Sequence, residues 1–125
     1  MENSKVKQKK RFFCEDKLFD KSLSVIKVEH CQECPVFGEK AFEVFKLVVE
    51  KFPQRQFKLL VNHSELNGEA IEPRFGAFEV WFARNCRETY HLLWSGLDKG
   101  PPRREKFPQD LDEIQRKVLK LLVTG

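Results

Sequence analysis

A chain of 125 residues is long enough for one compact domain with a real core and too short for two. With 41% hydrophobic and 12% aromatic residues and twelve Phe, the composition excludes a disordered polymer, and no stretch approaches the roughly 18 uncharged apolar residues that a membrane span needs. The net charge of +4 is uneven: residues 1–23 carry seven Lys/Arg against four acids, and residues 99–106 carry four against one, so the basic character lies in two patches. Such patches suit a polyanion, an import receptor or plain solubility.

Lys5, Lys7, Lys9, Lys10 and Arg11 repel one another and lie in a stretch without apolar period. Residues 1–23 therefore read as a basic, flexible segment and residues 24–125 as the folded domain. A basic tract of this kind matches a nuclear-localisation or nucleic-acid patch. No apolar h-region follows it, because Arg11-Phe12-Phe13-Cys14 runs into Glu15-Asp16-Lys17, so no secretory signal is expected. In the reducing compartment this implies, four cysteines are expected to be free, catalytic or metal-bound.

Residues 24–29 predict a first strand, with Ile26 and Val28 facing one way and Val25, Lys27 and Glu29 the other. Pro35 suits the first position of a helix, where its missing N–H would be unpaired anyway, which makes Cys34 the N-cap. That helix should run to about Phe52, with Phe37, Ala41, Phe45, Val48 and Phe52 as its apolar stripe and Phe42 and Val49 widening it. The stripe reads as core and not as a cofactor box. Gln56–Asn62 predicts a second strand, parallel to the first through a right-handed crossover. Residues 63–73 read as a loop.

Ala77–Ala83 and Glu88–Ser95 predict two further strands joined as an antiparallel hairpin, with Tyr90, Leu92 and Trp94 sharing one face of the second. Residues 96–108 form a Pro-rich basic loop. The last helix should span Leu111 to Leu122, with Asp110 as N-cap, Glu113 as its reciprocal partner, and Leu111, Ile114, Val118 and Leu121 buried. The order β-α-β-β-β-α, with a four-stranded mixed sheet and two helices, is the minimal thioredoxin-like arrangement, of α/β (α+β) class.

The chemistry points to Cys31-Gln32-Glu33-Cys34, a C-x-x-C at a strand-to-helix turn. A thiolate is the reactive species, and the positive end of a helix dipole with its unpaired N–H groups favours it. Cys34 at the N-cap is best placed to receive both, with the N–H groups of Val36 and Phe37 directed at its sulfur. Cys31 then resolves the sulfenic acid or mixed disulfide that Cys34 forms. His30 is a candidate proton shuttle. One C-x-x-C supplies only two of the four ligands of a structural zinc site; Cys14, Cys86, His63 and His91 form no second close pair to complete it, so no metal is expected. Purely structural cysteines are a further alternative. Cys14 and Cys86 stand alone and read as incidental small residues.

The run Val28-Glu29-His30-Cys31-Gln32-Glu33-Cys34, the motif Gly76-Ala77-Phe78-Glu79-Val80, and above all the run from Leu93-Trp94-Ser95-Gly96 through Lys99-Gly100-Pro101-Pro102-Arg103-Arg104 to Phe107-Pro108 closely resemble the H branch of the thioredoxin-like selenoprotein family that also holds the W branch. The resemblance covers residues 24–122. It implies a redox protein whose active pair is Cys-x-x-selenocysteine with the second position nucleophilic, which falls on Cys34. The chain shows cysteine there, so it is either a cysteine homologue or a selenoprotein altered for expression. A thiol is a weaker nucleophile and leaving group than a selenol at neutral pH, which lowers the peroxidase activity to be expected.

The family is also similar in carrying a basic N-terminal segment associated with nuclear, often nucleolar, residence and DNA binding. Here the segment lacks the Arg-Gly-Arg core of a minor-groove hook. The expected contact is therefore non-specific, between phosphate and Lys5 to Arg11, with Lys99, Arg103, Arg104 and Lys106 assisting. The expectation is a thiol-disulfide oxidoreductase and weak glutathione-dependent peroxidase acting in the nucleus, or in the cytoplasm. It would hold no bound cofactor, take glutathione as co-substrate, and have glutathione or a protein thiol or disulfide as partner, with no membrane. The alternative is a redox-sensitive nucleic-acid-binding module.

Overall fold

The computed structural model describes residues 19–64 and 69–124. Where apolar side chains alternate with polar ones the chain is extended, giving β1 (Leu23–His30), β2 (Gln56–Val61), β3 (Phe78–Ala83) and β4 (His91–Ser95). Helices α1 (Pro35–Lys51) and α2 (Leu111–Thr124) and a 3-10 turn at Arg103–Lys106 complete the fold. The sheet order is β2-β1-β3-β4, with β1 and β2 parallel and the other neighbours antiparallel. This is the expected thioredoxin-like arrangement, with the C-x-x-C at the turn from β1 into α1.

Both helices lie on one face of the sheet, where Ile26, Val28, Phe78, Val80 and Phe82 form a continuous core with Phe37, Ala41, Val44, Val48, Ile114 and Val118. Phe107 completes it, its ring edge-on to Phe37 and Phe78 at centroid distances of 5.2 and 5.1 Å. The buried line of α1 differs from the expected stripe. Phe37, Ala41, Val44 and Val48 are buried, Phe45 and Phe52 lie half-buried beside them, and Phe42 is 58% exposed. The phenylalanines of this helix offer two overlapping stripes; the one rotated toward Ala41 and Val44 puts small and β-branched residues against the sheet.

The last two strands also depart from simple alternation. Val80 pairs with Trp94 and Trp81 with Leu92, so Leu93 is an extra residue in a β-bulge. The bulge turns Leu93 into the core and leaves Leu92, which alternation had grouped with Tyr90 and Trp94, half exposed. β4 starts only at His91, and residues 84–90 form a longer connection than the hairpin expected. At α2, Asp110 Oδ1 accepts the Glu113 N–H at 3.3 Å as an N-cap should, while the Glu113 carboxylate pairs with Lys117 at 3.6 Å.

The opposite face carries a different chemistry. Arg74 bridges two buried carboxylates on paired positions of β1 and β3, Glu29 and Glu79, with N···O distances of 2.7 and 2.6 Å. Ser95 Oγ donates to the other oxygen of Glu79. Further along, Lys27 lies over the rings of Trp81 and Tyr90. Beyond it, Val25, Leu60 and Cys86 form a small second core with Phe19 and Tyr90. Cys86, expected to stand alone, is disulfide-bonded, and the same expectation for Cys14 falls outside the described residues. No helix among the described residues is long and apolar enough to cross a membrane.

Candidate active site

The dithiol is delivered by an abrupt end to the β1–β2 ladder. Asn62 follows β2 with φ +54°, a left-handed conformation that Asn tolerates better than most residues, and its buried side chain turns back onto β1. Asn62 Oδ1 accepts the His30 N–H at 2.8 Å and Nδ2 donates to the His30 carbonyl at 3.2 Å, replacing the strand partner that β2 no longer supplies. One residue on, the Cys31 N–H donates to Ala77 O at 2.9 Å. The backbone at the first thiol and just before it is therefore pinned before the chain enters the helix.

The two cysteines are free thiols in unequal surroundings. Cys31 is 4% exposed and belongs to the main core, whereas Cys34 is half-buried at the N-cap with extended backbone, φ −139° and ψ 128°. Pro35 occupies the first helical position as expected. The Cys34 sulfur accepts no capping hydrogen bond; the Phe37 N–H goes to the Cys34 carbonyl at 3.2 Å. The expectation that helix N–H groups converge on Sγ is thereby corrected. The extended backbone places the carbonyl, and not the side chain, over the first turn, and what the helix offers the sulfur is its dipole.

His30 sits beside the pair and outside the cavity. Its Nδ1 is 2.9 Å from the Cys31 carbonyl, which can only accept, so Nδ1 carries the proton and Nε2 is the open nitrogen. The Nε2 edge packs over Gly38, where a Cβ would lie 3.7 Å away.

A cavity of about 540 Å³ opens on Cys31 and Cys34. Glu33 and Phe37 flank the thiols, the turn Phe75-Gly76 forms one wall, and Leu97, Asp98, Lys99, Gly100, Pro101 and Lys106 form the other. The second wall explains most of the Trp-Ser-Gly-Leu-Asp-Lys-Gly-Pro-Pro run. Trp94 Nε1 donates to Lys106 O at 2.9 Å, and Gly96 lies so close beneath the same carbonyl that a Cβ there would come within 2.0 Å of it. Lys106 Nζ donates to the carbonyls of Gly96 and Leu97, closing the loop on itself.

The first wall is held from behind the sheet. Arg74 donates its backbone N–H and Nε to Glu29 as well as bridging to Glu79, and Ala77 closes a turn back to the Arg74 carbonyl at 3.1 Å. Arg74's hydrogen bonds hold the Glu29 carboxyl below its ordinary range, against burial, which pulls it up. Glu29, first of all, and Glu79 raise the affinity of the Arg74 guanidinium for its proton.

Of the residues the sequence singled out, Cys31 and Cys34 come together on the cavity, and Lys99 and Lys106 join them on its wall. Lys99 is exposed with its ammonium 5.4 Å from the Trp94 ring, Arg104 is exposed, and Arg103 begins the 3-10 turn. Lys5, Lys7, Lys9, Lys10 and Arg11 lie outside the described residues. The sequence reading missed Phe75, Arg74 and the pair Glu29/Glu79. The available signal was a carboxylate inside each of two strands, at positions the pairing places opposite one another. Among the described residues no group of three or more His, Cys, Asp or Glu gathers as a metal site.

A mixed four-stranded sheet with a free dithiol at the mouth of its first helix defines a protein of the thioredoxin-like class. No family model matches the chain, and no solved structure matches it. Among curated proteins it is 33% identical over 105 residues to selenoprotein BthD of Drosophila melanogaster, covering 82% of this chain and 39% of that protein. It is 30% identical over 92 residues to selenoprotein H of Mus musculus, covering 74% of this chain and 71% of that one. Selenoprotein H of Homo sapiens is 28% identical over the same length. The chain belongs to the selenoprotein H family, and its matched region spans well under half the length of the Drosophila relative.

Proposed function

We propose that the chain is a thiol-disulfide redox protein in which Cys34 attacks and Cys31 resolves. The observation that carries this reading is the asymmetry of the pair: Cys34 is half-buried at a helix N-terminus on an open cavity, and Cys31 lies buried behind it. The Cys34 thiolate displaces one sulfur of a substrate disulfide, forming a mixed disulfide and releasing a thiolate. Cys31 then loses its proton and attacks Cys34, which forms the Cys31–Cys34 disulfide and releases the second substrate thiol. With a peroxide, Cys34 becomes a sulfenic acid as the O–O bond breaks, and Cys31 expels water. Two glutathione or protein thiols restore the dithiol, themselves becoming a disulfide.

Mild oxidation followed by intact-mass measurement and peptide mapping tests this. A loss of two hydrogens mapping to Cys31 and Cys34, abolished in both Cys31→Ser and Cys34→Ser, is expected; a pair that stays reduced under strong oxidant overturns it. A second reading, phosphate contact in the nucleus, is favoured by the exposure of Lys99 and Arg104 on one loop. Duplex DNA binding that falls steeply with salt and weakens in Lys99→Ala/Arg104→Ala supports it, and salt-indifferent binding counts against it.

A further inference from the structure

We propose that the cavity beside the dithiol is a subsite for an apolar side chain next to the disulfide of an extended protein segment, with Phe75 as its selecting wall. The inference rests on the dithiol reading above and names the substrate class that this site prefers.

Phe75 is 84% exposed, and a lone exposed apolar residue ordinarily means nothing. Its backbone, however, is fixed at both ends. Arg74 is clamped by Glu29 and Glu79, and Ala77 O holds the Cys31 N–H. Gly76 between them has φ +76°. The turn therefore presents an aromatic ring on a rigid mount at the edge of the thiol cavity, and presenting a preordered apolar surface costs a partner little ordering entropy. Phe37, Leu97 and Pro101 continue the apolar lining.

The charges of the cavity argue against a small anionic thiol as its occupant. Glu33 and Asp98 face Lys99 and Lys106, for a formal balance of zero. The Lys106 ammonium is committed to two backbone carbonyls. Glutathione disulfide, with four carboxylates and no apolar side chain, finds neither a net positive site nor a use for Phe75. A leucine or phenylalanine flanking a substrate cysteine finds both an apolar wall and a neutral rim, in a volume within the usual range of about 300–1,000 Å³ for binding clefts.

The chemistry is unchanged: the peptide S–S bond breaks, a Cys34–peptide S–S bond forms, and the dithiol's two electrons and two protons leave on the two peptide thiols. The test mixes pre-reduced protein with symmetrical disulfides of acetyl-Leu-Cys-Gly amide, acetyl-Ala-Cys-Gly amide, or glutathione, and follows single-turnover thiol release. The Leu peptide should react about ten-fold faster than the Ala peptide, the low end for a hydrophobic contact, and faster than glutathione disulfide. Phe75→Ala should bring the Leu/Ala ratio to about two-fold or less, and Phe75→Leu should keep most of it. A wild-type ratio near one, a ratio that persists in Phe75→Ala, or glutathione disulfide reacting fastest would each overturn the proposal. Thiol release from every disulfide that survives Cys34→Ser would instead overturn the dithiol reading itself.

Discussion

The two faces of the sheet hold the two sides of the thiol cavity by opposite means. On the helix face, Cys31 belongs to the core that holds Phe37, Phe78 and Phe107, so its side chain is set by close packing. On the other face, the wall opposite the thiols is held by a guanidinium between two buried carboxylates. Packing is insensitive to pH and salt, whereas an ion-paired clamp is only as good as the ionisation of its members. The end of the molecule that carries the candidate site thus combines a packed thiol with a neighbouring wall whose rigidity depends on conditions.

The largest effect expected separates the faces by removing packing. Phe107→Ala should cost about 3–5 kcal/mol in urea or guanidinium unfolding, because a fully packed aromatic is lost from the junction of α1 and β3. Gly96→Ala should cost about 2–3 kcal/mol, since its Cβ cannot coexist with the Lys106 carbonyl unless the 3-10 turn lifts away. A cost under about 1 kcal/mol at either site would show that the second wall is not packed as described.

Breaking the other face should do less to stability and more to its pH dependence. Arg74→Met leaves Glu29 and Glu79 facing each other without their cation, and about 2 kcal/mol is expected at neutral pH, tempered by the half-exposed guanidinium. The Glu29 carboxyl is held below its ordinary value of 4.5, so its contribution is fully present above that pH and lost as pH falls through the folded value. Unfolding measured between pH 7 and pH 3 should therefore show a decline on acidification in the wild type that is flattened in Arg74→Met. Equal slopes would contradict the clamp. The smallest effect expected is that of Trp94→Phe, which deletes one hydrogen bond to Lys106 O and should cost about 1 kcal/mol.

Much of this architecture was legible in the chain because its signals are local. Alternation marked the strands, Pro35 marked the helix start, and the C-x-x-C between them marked the candidate site. What was not legible depended on contacts distant in sequence. The rotation of α1 was settled by the sheet and not by the helix's own phenylalanines, and the Leu93 bulge by pairing with β3. Phe75 fell between the predicted loop and strand without a signal of its own, because the turn that carries it is held by Arg74 reaching Glu29, 45 positions earlier. The Trp94–Phe107 run was conspicuous as a resemblance, but its physical content, a glycine beneath a carbonyl and an indole holding that carbonyl in place, appears only once the loop is folded.

The asymmetry of the two thiols is the central claim, and trapping tests it most directly. Cys31→Ser and Cys34→Ser, each pre-reduced and mixed with a peptide disulfide, are quenched by alkylation and mapped by mass. The account predicts that Cys31→Ser accumulates a stable mixed disulfide on Cys34, while Cys34→Ser forms little adduct on the buried Cys31 over the same time. An adduct forming as fast on Cys31 as on Cys34 would contradict it.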